Sequence, residues 1–189
     1  VETATNIGGA GNAIRGIFFA GETPSLVNTI QFVTMSSQGG SNDFGGTLSF
    51  GKIGHNGAVA NSTRAVTAGG YTSPDYSSKI EFVTIMSAGD ANDFGDLIIP
   101  KYAMGSFSSP TRGVFCGADP GTSPNTTDDI EFIEIATLGN AQDFGDLTSA
   151  RMAGAGFSNP TRGCFAGGYT PTAVNTIDYI ALTTGGNAV

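Results

Sequence analysis

Tryptophan is missing from this 189-residue sequence, histidine occurs once, cysteine twice, and lysine and arginine together only eight times. Each scarcity closes a class of function. A single histidine excludes, within one chain, a metal site built on two or three imidazoles, and two thiols are too few for a four-sulfur site. No Ser-His-Asp or Cys-His set assembles around His55, which lies in GKIGHNG and reads as an exposed loop histidine. Cys116 and Cys164 stand four and two residues after an arginine, at unlike offsets, and read as two buried, unpaired thiols. Sixteen acidic residues outnumber the basic ones and give a net charge of −8. A surface of that sign repels nucleic acid and anionic lipid. No apolar run approaches the length that crosses a bilayer, so no membrane insertion is expected. The opening VETATNIGG carries no basic-then-apolar leader. No cofactor, metal or catalytic set is expected, and the chain reads as a non-enzyme.

What the sequence has in quantity is glycine, 29 residues of it, set among Thr, Ser and Asn between short apolar runs. Glycine and β-branched residues form helices poorly, and no segment keeps a 3.6-residue apolar period unbroken, so the composition points to an all-β chain rich in turns. The tripeptide DFG occurs three times, at Asp43-Phe44-Gly45, Asp93-Phe94-Gly95 and Asp143-Phe144-Gly145. In a kinase it would hold magnesium, but an HRD loop would accompany it, and none is present. As a calcium loop, DANDFGD puts phenylalanine at a ligand position. Equal spacing makes it the mark of a repeat.

Four copies follow, opening at Arg15, Arg64, Arg112 and Arg162, with a strand isoleucine at 30, 80, 130 and 177. From isoleucine to the DFG aspartate the count is thirteen in every complete copy, while the other intervals vary. Ile130 to Ile135 and Arg112 to Gly117 read as strands, and DFGDL and the stretch from Met152 to Phe157 as two more. Four strands in about fifty residues make one propeller blade. The fold expected is a single all-β β-propeller of four blades. Its repeats run 15–63, 64–111, 112–161 and 162–189 plus 1–14, so that the termini share the last blade and leave no open strand edge.

The string R-G-x-F-x-G-G-Y-T…N-T-I-[DE]-[FY]-I resembles a kelch motif, and without tryptophan it is kelch-like. The fuller consensus, with GNAxDFGDL and SSPTRGVFAGG, resembles repeats in virion structural proteins of tailed phages, especially T4-like phages of marine cyanobacteria. The likeness covers nearly the whole chain. It implies a virion or extracellular location and a structural or adhesive role, as in a tail fibre, baseplate or capsid surface. The implied partners are other virion proteins or a host-surface glycan or receptor, with a homo-oligomer among the assemblies.

Within the repeat, Asp43, Asp93 and Asp143 read as turn caps, Phe44, Phe94 and Phe144 as filling between blades, and the glycine as a close-approach position. Arg15, Arg64, Arg112 and Arg162 are expected to pair with DFG aspartates. A ring of guanidinium groups binding an anion in a central channel is the other reading. The loops between the Gly-Gly strand and the next strand vary in length and are expected on one face, together with the blade-to-blade connections. There Tyr71, Tyr76 and Tyr169 offer rings for sugar stacking, and Asp75, Asn125 and Asn175 offer hydroxyl partners; the same loops read equally as plain solvated connections. Three functions are carried forward: a structural or adhesive virion module, a lectin-like glycan-binding propeller, and, with least support, a propeller-class hydrolase.

Overall fold

The computed structural model describes residues 4–52 and 57–189; His55 lies outside them. Among the described residues there is no helix, and four antiparallel sheets set in a ring form a four-bladed β-propeller. Blade one comprises β1 (Gly8–Gly11), β2 (Arg15–Glu22), β3 (Leu26–Thr34) and β4 (Asn42–Thr47). Blade two comprises β5 (Gly57–Ala60), β6 (Arg64–Ala68), β7 (Lys79–Thr84) and β8 (Asn92–Asp96). Blade three comprises β9 (Gly105–Ser108), β10 (Arg112–Ala118), β11 (Thr127–Glu134) and β12 (Gln142–Asp146). Blade four has β13 (Ala155–Ser158), β14 (Arg162–Ala166) and β17 (Ile177–Ala181), and its loop carries a small hairpin of β15 (Tyr169–Thr170) and β16 (Thr172–Ala173).

The repeat therefore begins one strand before its arginine, and the termini do not share a blade. Gly8 to Gly11 pair with Gly16 to Phe19 inside blade one, and blade four takes its own inner strand from β13. The reason is local. A three-residue turn joins β1 to β2, and the Asn12 carboxamide oxygen accepts the amides of Ile14 and Arg15, so the nearest partner captures the strand. Asn61 and Asn159 close the same turn in blades two and four, and the Ser109 hydroxyl closes it in blade three.

The second strands β6 and β10 bury both faces, because blades two and three are each stacked between two others. The face of blade one that carries Ile17, Phe19, Ile30 and Phe44 packs on Ala65, Val83 and Ile85 of blade two. Val66, Ile80 and Phe94 pack in the same way on Phe115, Ile133 and Ile135 of blade three. Phe107, Val114, Ile130 and Phe144 then pack on Phe165, Ile180 and Leu182 of blade four. We call the first set in each pair the leading face of its blade and the second the trailing face of the next.

The DFG strand clasps the following blade. Gly139 N–H donates to the Phe94 carbonyl and Ala141 N–H to that of Asp96, at 2.9 and 2.8 Å; Gly186 and Ala188 repeat this against Phe144 and Asp146. A Cβ on Gly95 would lie 2.5 Å from the Gly139 carbonyl carbon, so the backbones meet only because that residue is glycine. The Asp43 and Asp143 carboxylates accept the N–H of Gly45 and Gly145, which makes them turn caps, and all three DFG phenylalanines are buried between blades.

Candidate functional site

The charged groups best placed by sequence for chemistry are consumed by the scaffold. Arg15, Arg64 and Arg112 do not pair with DFG aspartates. Their Nη1 atoms donate to the carbonyls of Ile85, Ile135 and Leu182 in the next blade, at 3.0, 2.9 and 2.8 Å. Each guanidinium stacks on an aromatic ring of its own blade: Phe32, Phe82, Phe132 and, for Arg162, Tyr179. The register explains it. Arg112 sits opposite Glu134, whereas Asp143 sits opposite Glu131, three residues further along β11. One arginine per blade, seated in the second strand over an aromatic ring, makes no anion ring around the axis.

A second set of ion pairs escaped the sequence reading. Lys52 faces Glu81 at 3.7 Å, Lys101 is paired with Glu131, and Arg151 Nη2 lies 3.1 Å from Asp178, with every one of these side chains buried. The carboxylates also accept backbone amides, from Ser49, Ile98 and Thr148. Each base follows a DFG aspartate by eight or nine residues, and each acid follows the strand isoleucine directly, so a periodic signal was present. Burial holds the Lys52 ammonium down to about 8, against the pull of Glu81. Blade one has Gln31 at the acid's place.

An open cleft lies on the loop face, between blades two and three. Tyr71, Pro74, Asp75 and Tyr76 from the β6–β7 loop meet Pro100 of the following connection and Pro120 and Gly121 of the β10–β11 loop, around a cavity of about 510 Å³. The loop is held in shape locally: Tyr71 and Tyr76 form a β-bridge, and the Thr72 hydroxyl donates to the Asp75 carbonyl at 2.9 Å. The rings of Tyr71 and Tyr76 meet edge to face at 5.8 Å, and Tyr102 lies 4.9 Å beyond, tilted by 50°. Tyr76 donates its phenol to Asp119 at 3.3 Å, and that carboxylate also accepts Gly121 N–H. Burial, reinforced by Asp119, pushes the Tyr76 phenol up to about 12, so it stays a hydrogen-bond donor. A Cβ on Gly121 would touch the Tyr76 ring at 2.8 Å, so the ring lies close against bare backbone.

Tyr71, Asp75 and Tyr76 are thus brought together, while Asn125, Tyr169 and Asn175 stand outside the cleft lining. Asn125 is in the blade-three loop, and Tyr169 and Asn175 are in that of blade four. Tyr102 and Asp119 were missed; they come from a connection and a neighbouring loop with no periodic mark. At the opposite end of the molecule, the turns between the first two strands of all four blades rim a cavity of about 400 Å³. Asp128, Asp129 and Asp146 bring carboxylate oxygens within 4.8 Å of one another beside blade three. Of the cysteines, Cys116 is buried and Cys164 only half-buried, which corrects the expectation of two buried thiols. No protein-family model matches the chain, and no curated protein matches it.

Proposed function

We propose that this chain is a non-enzymatic recognition propeller of a phage particle, mediating protein contacts or host attachment through its loop face. The observation that carries the reading is the cleft between blades two and three, where two tyrosine rings, three proline rings and the Asp75 carboxylate meet on a rigid scaffold. The tight loop that presents Tyr71, Asp75 and Tyr76 lowers the ordering cost of binding. A non-catalytic role is supported by the fate of the buried acids and bases, which are tied pairwise between blades. A glycoside hydrolase needs two carboxylates flanking its substrate, and among the described residues Asp75 is the one carboxylate lining this cleft. The likeness of the repeat to virion proteins supplies the particle context.

The stacked tyrosines favour a second reading, in which the ligand is a host-surface glycan. Sugar C–H faces pack on aromatic rings, and a rim carboxylate accepts hydroxyl donors. A glycan array probed with the intact chain tests it. Binding lost in Tyr71→Ala and retained in Tyr169→Ala supports the glycan reading, because Tyr71 lines the cleft and Tyr169 does not. Binding to no glycan, with antibody labelling of the chain on intact particles, supports protein contacts. A chain absent from particles and inert on the array refutes both.

A further inference from the structure

Three of the four blade junctions are sealed by shared cores, and the fourth, between blades four and one, shares none among the described residues. Ile30, Ile80 and Ile130 lie on leading faces and are at most 1% exposed, but their counterpart Ile177 in blade four is 62% exposed. Phe157 is 55% exposed where its counterpart Phe107 is buried. On the trailing face of blade one, Met35 is 60% exposed, while Ile85, Ile135 and Leu182 at the same position are buried. An apolar cavity of about 310 Å³ opens beside Phe18 and Val33, and no blade-four residue lines it. The molecule thus exposes one leading face and one trailing face, the two halves of a junction it forms three times internally.

We infer that copies of this chain associate head to tail, the leading face of blade four in one copy seating on the trailing face of blade one in the next. The internal junctions fix the contacts. Phe107 packs where a Cβ on Gly163 would sit, and Val59 where one on Gly113 would sit. Phe157 seats over Gly16 in the same way. A Cβ on Gly16 meets only Val33 and Met35 of its own blade, which leaves the space open to a partner. Arg162 stacks on Tyr179 and has no carbonyl acceptor among the described residues. Its three counterparts each donate to the carbonyl of the Ile85, Ile135 or Leu182 position, so Arg162 donates to the Met35 carbonyl of the neighbouring copy. Gln31 removes the one obstacle: an acid there would be buried without the cation that Glu81, Glu131 and Asp178 receive from the preceding blade. Because the two faces differ, the contact is heterologous, and it closes a ring or extends a filament according to its rotation. Among the described residues blade four has three strands and offers no DFG phenylalanine to the contact.

Sedimentation analysis of the full chain from nanomolar to millimolar concentration tests this, with Ile177→Asp and Met35→Asp as variants. Both positions face solvent, so the variants keep the fold, which circular dichroism checks. Expected are mass growing with concentration for the unmodified chain, monomers for each variant alone, and a one-to-one dimer when the two variants are mixed. That mixture retains one intact face of each kind. Gly16→Ala, which adds a methyl group under the docked Phe157, weakens the association at least tenfold. A monomer at every concentration, association untouched by either charge, or variants that stay monomeric when mixed would each overturn the proposal. The first outcome includes closure of blade four onto blade one of the same chain.

Discussion

Replacing Glu131 by glutamine removes one charge and almost no volume, and it does so between blades two and three. Glu131 is buried; it pairs with Lys101, and its other oxygen accepts Ile98 N–H at 2.9 Å. Glutamine keeps the shape and an acceptor for that amide, so the change isolates the charge. Lys101 is then a buried ammonium with no counter-ion at hand. Breaking a buried pair from one side costs about 3–5 kcal/mol, because the remaining charge is uncompensated. For a chain of this size each kcal/mol moves the midpoint by about 2–4 °C, so the melting temperature falls by roughly 10 °C. Calorimetry on the single variant measures it. The double variant Lys101→Met, Glu131→Leu recovers most of the loss, because apolar side chains of similar volume replace both ions. The converse change, Gln31→Glu, puts a carboxylate on the half-exposed outer face of blade one and shifts stability by less than about 0.5 kcal/mol. A Glu131→Gln variant that melts with the parent would refute the role given to these pairs as tethers between blades.

Lys52 makes stability depend on pH. Its folded pKa of about 8 lies below the ordinary 10.5. Between these values the unfolded chain holds the proton and the folded chain has released it, so stability rises with pH, by up to about 3 kcal/mol. Denaturant titrations from pH 7 to 10.5 show the rise, and Lys52→Met removes it; a parent and variant with parallel profiles contradict it. Gly163→Ala drives a Cβ into the Phe107 ring, and Gly113→Ala brings one within 2.5 Å of Val59. Each costs about 1–3 kcal/mol as overpacking. Gly16→Ala, at the same repeat position, stays within about 0.5 kcal/mol in the monomer. Equal losses at all three sites would mean that the fourth junction is packed like the rest.

Much of this architecture was legible. The count of thirteen from isoleucine to DFG aspartate is one β-hairpin, rigid because the clasp to the next blade admits no insertion. The variable intervals are the loops and connections of one face, as their length differences implied. The blade boundary was misplaced by one strand, because periodicity is blind to where a cycle starts; the Asn12 turn decides it. The arginine pairing failed because the choice of partner depends on register, three residues along a strand, which residue counting does not fix. The buried ion pairs were overlooked because acid and base belong to neighbouring copies and coincide only when blades stack. Half of the cleft was visible as Tyr71, Asp75 and Tyr76. Tyr102 and Asp119, which contact Tyr76 from outside the cleft lining, were not visible, since the next blade's approach delivers them.

The most direct test of three sealed junctions and one open seam uses the two native thiols. Cys116 lies in the core between blades three and four, where burial pushes its thiol well above the ordinary range. Cys164 lies on the leading face of blade four, at a position filled by the buried Ile17, Val66 and Val114 in the other blades. Counting thiols with a maleimide, at concentrations low enough for monomers, is expected to give one fast site per chain, mapped by peptide mass to Cys164. Cys116 is expected to react only on unfolding. Two protected thiols would mean that blade four is covered within a single chain, and a fast Cys116 would mean that the junction of blades three and four is not formed.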